Sequence, residues 1–308
     1  MSQVPMRLLV IGGNGFIGRH IIQRALDLDW SVTSLSLSSR PSRQDSPAVC
    51  YLSADITNVT ALEEALGNAS FEYVVNCGGY IDHTLFFNGG RNVLNTHFLG
   101  VLNLAEVLDR NVLEAFVNIG SSDEYGNGPP PQTETQREMP ISPYSMGKVA
   151  ATHFLQAIHR TEDFPATTLR LFLTYGPGQD NSRFLPQIVK GCLEGRSFPT
   201  SEGRQLRDFC FVQDTVDAVF AAFSSDTCRG EVINIGSGRP VSIRQMIETV
   251  KNLIGRGAPQ FGAIAYRSGE NMALYADIGK AKTLLGWEPK VTLELGLDKT
   301  IQWIASQA

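Results

Sequence analysis

The stretch LLVIGGNGFIGRH, residues 8–20, puts an apolar run of strand length directly before a cluster of glycines that opens a helix-like pattern. Gly12, Gly15 and Gly18 punctuate it, and Gly13, Gly15 and Gly18 also satisfy GxGxxG. Few chains can turn from a buried strand into a helix in so short a space without belonging to a βαβ architecture. Glycine permits the tight turn and lets the backbone approach a pyrophosphate, whose charge is met by the amides and dipole at the helix start. Gly12, Gly15, Phe16, Ile17 and Gly18 are therefore the expected coenzyme-binding positions of this segment.

The rest of the first half repeats the rhythm. Strand-like runs at Arg7–Ile11, Ser31–Leu37, Tyr73–Asn76 and Ala115–Ile119 alternate with helical patterns at Gly15–Leu28, Thr60–Leu66 and Asn92–Leu108. This predicts an α/β fold: a Rossmann-type doubly wound parallel sheet with a smaller C-terminal substrate-binding lobe. Residues 1–180 are expected to form the dinucleotide-binding domain, with part of 205–240 returning to it, and 181–308 mainly the lobe. Proline at 129, 130, 131, 140 and 143 makes Gly126–Pro143 a loop. The helix Asn92–Leu108 is apolar on more than one stripe, so it is expected to pack on the sheet and, on its other side, across a homodimer interface.

The formal charge of −5 over 308 residues argues against nucleic acid or a membrane surface as partner, since both require a basic face. No apolar run exceeds strand length and the first residues lack a secretory h-region, so a cytoplasmic address is expected. Five scattered cysteines show no metal-ligand or disulfide spacing and read as small buried side chains, with no metal expected.

Where a NAD site would carry an acid at the end of the second strand, the sequence has VTSLSLSSR, with Ser36 at that position and Arg40 just beyond. Hydroxyls and a cation suit a 2′-phosphate that a carboxylate would repel, so NADP is expected over NAD, with NAD possible. Asp55 and Ile56 follow a strand-like run; the carboxylate either lies near adenine or heads the next helix.

Tyr144-Ser-Met-Gly-Lys148 starts a helical pattern after the proline-rich loop, and the i,i+4 spacing sets phenol and ammonium on one face. A tyrosine is a poor acid/base near neutrality unless a cation stabilises its phenolate. GSSDEYG, residues 120–126, follows the apolar run AFVNI, at the carboxyl end of a strand where ligands bind in open parallel sheets.

Together with VVNCGG at 74–79, LRLFLTYGPG, RDFCFVQD, NIGSG and the terminal YRSGE and LGWEP, these motifs make the chain similar to the extended short-chain dehydrogenase/reductases of the nucleotide-sugar epimerase/dehydratase/reductase group. The resemblance covers nearly the whole chain. It implies a nucleotide-diphosphate sugar as substrate, Tyr144 as acid/base, Lys148 lowering its pKa and holding the nicotinamide ribose, and Ser121 bonding the reacting oxygen. Arg207 and Arg267 match positions that clasp the substrate diphosphate, a role that guanidinium forks suit. Ser122 and His83 are further expected sugar-side contacts.

Departures from the pattern narrow the reaction. Leu173 replaces the asparagine of RxFNxYGPG, and His97 stands near the usual NxxG, where it reads as a satisfied interior histidine. Asp123 occupies the place of the dehydratases' glutamate base and is one methylene shorter, which counts against 4,6-dehydration. Ser36 counts against a 4-epimerase with tightly bound NAD. The preferred expectation is NADPH-dependent reduction of a nucleotide-linked 4-keto-6-deoxyhexose, of the kind that serves bacterial surface polysaccharides. The alternatives are 4-epimerase or 4,6-dehydratase and, more remotely, a non-catalytic NAD(P) sensor.

Overall fold

The computed structural model describes residues 5–38, 46–266 and 269–307. In chain order the first half contains β1 (Arg7–Ile11), α1 (Phe16–Leu26), β2 (Ser31–Ser36), β3 (Val49–Ser53), α2 (Val59–Leu66), β4 (Tyr73–Asn76), α3 (Arg91–His97), α4 (Leu99–Val107), β5 (Ala115–Ser121), α5 (Pro143–Glu162) and β6 (Ala166–Leu171). There follow β7 (Leu173–Tyr175), α6 (Phe184–Leu193), β8 (Ser197–Pro199), β9 (Leu206–Phe211), α7 (Val212–Phe223), β10 (Val232–Ile235), β11 (Pro240–Ser242), α8 (Ile243–Ile254), β12 (Ala258–Gln260), β13 (Ala273–Leu274), α9 (Gly279–Leu285) and α10 (Leu293–Ser306).

Seven strands form one sheet in the order β10-β6-β5-β4-β1-β2-β3, and every pair in it is parallel. This is the doubly wound sheet expected from the sequence. Its strands are apolar without alternation because both faces are covered. In β1, Leu8 and Val10 enter a core shared with α1 and α7, while Leu9 and Ile11 enter the opposite core with α2, α4 and α5. All four are at most 1% exposed, and each contributes about 1.5–3 kcal/mol by leaving water.

The helix read as Asn92–Leu108 is two helices, broken at Phe98 (φ −108°, ψ −61°). α3 packs on α5, and α4 packs on α2 and α5, so part of the second apolar side meets partners within the chain, while Leu99 stays exposed. The cysteine expectation also needs correcting: Cys192, Cys210 and Cys228 are buried, whereas Cys50 is exposed and Cys77 partly so. Among the described residues no helix is long and apolar enough to cross a membrane.

The smaller lobe packs α6, α8 and α10 around β9, with Tyr175, Phe209 and Phe211 in its core. β9 is flanked by β7, β11 and β13. The turn-rich motifs RDF and NIGSG meet at Asp208, whose carboxylate accepts from the Ser237 hydroxyl (2.6 Å) and from the Gly238 and Ala276 amides (3.0 and 3.1 Å). The strand after this lobe segment, β10, pairs with β6 in the large sheet.

Candidate active site

The glycine turn lies between β1 and α1, beside the junction of β1 with β4 where the strand order reverses and open α/β sheets leave a crevice. Gly12 adopts φ +74°, donates its amide to Leu35 and accepts from the Gly15 amide. A Cβ on Gly12 would stand 2.8 Å from the Cys77 carbonyl oxygen, and one on Gly18 2.4 Å from that of Gly12. Gly15 caps α1 without a side-chain bond, leaving the amides of the first turn for an anion. A cradle that any Cβ would fill, opening on free amides, fits a dinucleotide pyrophosphate. Phe16 and Ile17 turn their side chains into the cores of the smaller lobe and the large sheet, so what they can offer a coenzyme is backbone.

Ser36 ends β2, and its hydroxyl accepts from the Asn14 amide at 3.3 Å. Arg40 lies outside the described residues. The Asp55 carboxylate closes its own turn, accepting from the amide and hydroxyl of Thr57 at 2.9 and 2.8 Å. It does not cap the following helix: Asn58 does, accepting from the Ala61 amide at 3.1 Å. Asn58 reaches the helix amides because it stands directly before Val59. Ile56 is buried and packs against Gly100 of α4.

Across the sheet, β5 runs two residues beyond its expected end and finishes at Ser121. A 3-10 turn, Ser122–Tyr125, follows, and Ser122 is buried in it. The proline-rich loop then delivers Ser142, which caps α5 by accepting from the Ser145 amide at 3.1 Å, with Pro143 at the first helical position. Tyr144 therefore enters the helix at a fixed place and Lys148 follows one turn on. Tyr144 is 5% and Lys148 6% exposed. The Ser121 side chain stands close enough to the Tyr144 phenol to oppose the rise of its pKa.

Burial raises the Tyr144 phenol above its ordinary value, opposed by the Ser121 side chain, and the carboxylates of Asp123 and Glu124 raise it further. Burial lowers Lys148 to about 8, opposed by Glu124. The chain's own groups thus leave the phenol raised, because desolvation disfavours the phenolate more than the surrounding dipoles favour it.

Two imidazoles flank the Tyr144 ring edge-on, His97 at 4.9 Å and His83 at 5.7 Å between centroids. His97 is the satisfied interior histidine expected, its Nε2 2.8 Å from the Tyr80 carbonyl oxygen, and burial lowers it to about 3. His83 is half exposed, with Nε2 3.8 Å from Asp123 Oδ2 and Nδ1 3.4 Å from Ser142 Oγ. Burial raises the Asp123 carboxyl, opposed by the charges of His83 and Arg207. Arg207, on β9, pairs with Glu270 and donates to the Leu206 carbonyl at 2.8 Å. Arg267 lies outside the described residues, and Leu173 is a partly exposed residue of β7.

Sequence reasoning missed three residues of this neighbourhood: Glu124, Arg183 and Glu270. Arg183 acts on Tyr144 electrostatically from the residue that directly precedes α6. Glu270 was visible only as part of YRSGE, and Glu124 only as a letter of GSSDEYG. Among the described residues no cluster of His, Cys, Asp and Glu could hold a metal ion.

A model of the NAD dependent epimerase/dehydratase family matches residues 8–236. The chain is 26% identical to a dTDP-glucose 4,6-dehydratase of Haemophilus influenzae, over 97% of each chain. Its fold is similar to that of UDP-glucose 4-epimerase of Thermotoga maritima, solved with UDP-glucose, at 27% identity and a TM-score of 0.91, covering 98% of this chain and 99% of that one. It is also similar to UDP-glucuronic acid 4-epimerase of Bacillus cereus, solved with UDP-glucuronic acid and NAD, at 26% identity and a TM-score of 0.87, covering 98% and 100%.

Proposed function

The chain belongs to the NAD dependent epimerase/dehydratase family, and from that premise we propose that it oxidises a nucleotide-diphosphate sugar at C4 and returns the hydride within one turnover, as a 4-epimerase or 4,6-dehydratase. The observation that carries this reading is the placing of Ser121, at the carboxyl end of β5, beside the Tyr144 phenol and across the crevice from the glycine cradle. A bound NAD(P) would accept the hydride and add a cation beside the phenol. The rest is the work of the chain. Tyr144 Oη takes the C4 hydroxyl proton and later gives it back. Ser121 holds the reacting oxygen, and Lys148 stands one helical turn away. Arg207, already lined up by Glu270, meets a diphosphate oxygen with a two-pronged donor. Asp123, whose carboxyl is raised by burial against the charges of His83 and Arg207, takes the C5 proton when the reaction is a dehydration and passes it to the departing C6 hydroxyl, which leaves as water.

The relatives' activities weigh toward this reading over the reductase preferred from sequence. The reductase stays as a second reading because of Ser36: β2 ends in a hydroxyl that is compatible with a 2′-phosphate and hence with NADPH. One experiment separates them. The purified protein is incubated with dTDP-glucose, UDP-glucose and UDP-glucuronate, and products are followed by NMR. A new sugar formed without added reduced coenzyme supports epimerisation or dehydration. No product from these sugars, with stoichiometric NADPH loss on a 4-keto-6-deoxy sugar, installs the reductase instead.

A further inference from the structure

Glu124 is wholly buried, yet nothing in its place as the third residue of a four-residue 3-10 turn requires a carboxylate there. Its Oε1 accepts from the Ser121 amide at 2.8 Å, while the Ser121 hydroxyl accepts from the Asp123 amide at 3.1 Å, a reciprocal cap that ordinarily sits in water. Oε2 goes elsewhere. It accepts from the Thr152 hydroxyl and from Arg170 Nε, both at 2.9 Å. Thr152 lies on α5 one turn beyond Lys148, and Arg170 is a fully buried residue of β6.

Taking a carboxylate and a guanidinium out of water is costly, and such pairs are tolerated only with close geometry and further hydrogen bonds. Here the geometry is close and further hydrogen bonds are present, with Arg170 Nη1 left buried without a hydrogen-bond partner. The Arg170 guanidinium lies 4.7 Å from the centre of the Tyr125 ring, and its Nη2 donates at 2.6 Å to Glu138 of the proline-rich loop. Room for the carboxylate is made at Gly120, where a Cβ would stand 2.7 Å from Glu124 Oε1. One side chain thus ties the end of β5, the catalytic face of α5, and β6 to a single point.

We propose that Glu124 is a positioning residue: by holding the Ser121 amide and the Thr152 hydroxyl at once, it sets the separation of the Ser121 and Tyr144 hydroxyls. It touches neither sugar nor coenzyme and acts through Ser121. The proposal rests on the catalytic reading of Ser121 and Tyr144. A displacement of about 1 Å between reacting groups can cost about a hundredfold in rate, so a clamp of this kind acts on kcat and leaves KM nearly unchanged.

Two variants test it. Glu124→Gln has one acceptor oxygen, so it cannot accept from the Ser121 amide and from Thr152 and Arg170 together, and it is expected to lower kcat about a hundredfold on whichever of dTDP-glucose, UDP-glucose or UDP-glucuronate the parent protein converts. Thr152→Val leaves the buried ion pair intact, so it keeps the test open if Glu124→Gln does not fold; a loss of about tenfold is expected, with KM within about twofold. Each is repeated in a Ser121→Ala background, where acting through Ser121 means almost no further loss. Losses that multiply in that background, or an unchanged kcat in Thr152→Val, overturn the proposal. If the parent protein converts none of these sugars, the functional reading fails separately, and a crystal structure of Thr152→Val still decides this one. Separation of the two hydroxyls beyond that in the parent protein supports it, and an unchanged separation sinks it.

Discussion

The Lys148 ammonium donates to the Ile119 carbonyl oxygen at 2.6 Å, so the cation is tethered to the backbone of β5 two residues before Ser121. The tether fixes where α5 lies against the sheet edge, and burial makes the same ammonium an unusually weak base, with its pKa near 8.

Lys148 should therefore set the alkaline limb of activity. Its cation is present below about 8 and disappears as pH rises through that value. Rates measured from neutral into alkaline solution are expected to fall with a midpoint near there. In Lys148→Arg, which stays cationic, the limb should move upward although the maximal rate drops about tenfold, because a planar fork does not fit a site built for an ammonium. An identical limb in both proteins would show that another group is responsible.

His97 should weaken the fold in acid. Its Nε2 bonds a carbonyl oxygen, which only accepts, so the proton sits there and the ring is neutral, with a pKa near 3 against an unfolded value near 6.5. Between those values the unfolded chain binds a proton that the folded one refuses, and stability is lost as pH falls. The loss is about 2 kcal/mol at pH ~5 relative to neutrality. Urea unfolding at both pH values, on the parent protein and on His97→Asn, isolates this contribution: the variant is less stable at neutrality but loses less on acidification. Equal losses in the two proteins would falsify the assignment.

Coenzyme choice should turn on Ser36. A carboxylate at the end of β2 repels a 2′-phosphate and accepts from free ribose hydroxyls. Ser36→Asp is expected to weaken NADPH binding by about tenfold or more while NADH binding improves. Fluorescence titration with both coenzymes measures it. Unaltered NADPH affinity would mean that this strand end does not face the adenosine ribose.

Gly18 should tolerate no side chain. An added Cβ would meet the Gly12 carbonyl oxygen at 2.4 Å and Gly13 Cα at 2.7 Å, both backbone, so the turn itself has to move. Gly18→Ala is expected to lower stability by about 1–3 kcal/mol and coenzyme affinity by about tenfold or more. Thermal unfolding with and without coenzyme distinguishes the two effects. A variant that unfolds and binds like the parent would remove the close-approach argument.

Much of the sheet could be read from the sequence because strands buried on both faces appear as apolar runs, and β1 and β4 match their expected bounds. Tyr144, Lys148 and Ser121 were legible for a different reason: the first two are joined by helical spacing and the third by its place after a strand. The break at Phe98 was not, since apolar residues continue across it and only three-dimensional packing, of α3 on α5 and of α4 on α2, distinguishes the two helices. Glu124 was silent as well, because its meaning depends on Thr152 and Arg170, 28 and 46 residues away. Partners so distant leave no periodic trace.

After β6 the chain departs for the smaller lobe and only later supplies β10, which closes the edge of the large sheet beside β6. Only part of the lobe, β7 to β9 with α6, is thus inserted between two strands of the large sheet, while α8 and α10 follow β10, and no single cut can release it. During synthesis the outer edge of β6 stays unpaired until Ile235 is available, so a truncation before β10 leaves an open strand edge of the kind that templates aggregation. A break in the inserted part of the lobe therefore registers as an unfinished sheet as well.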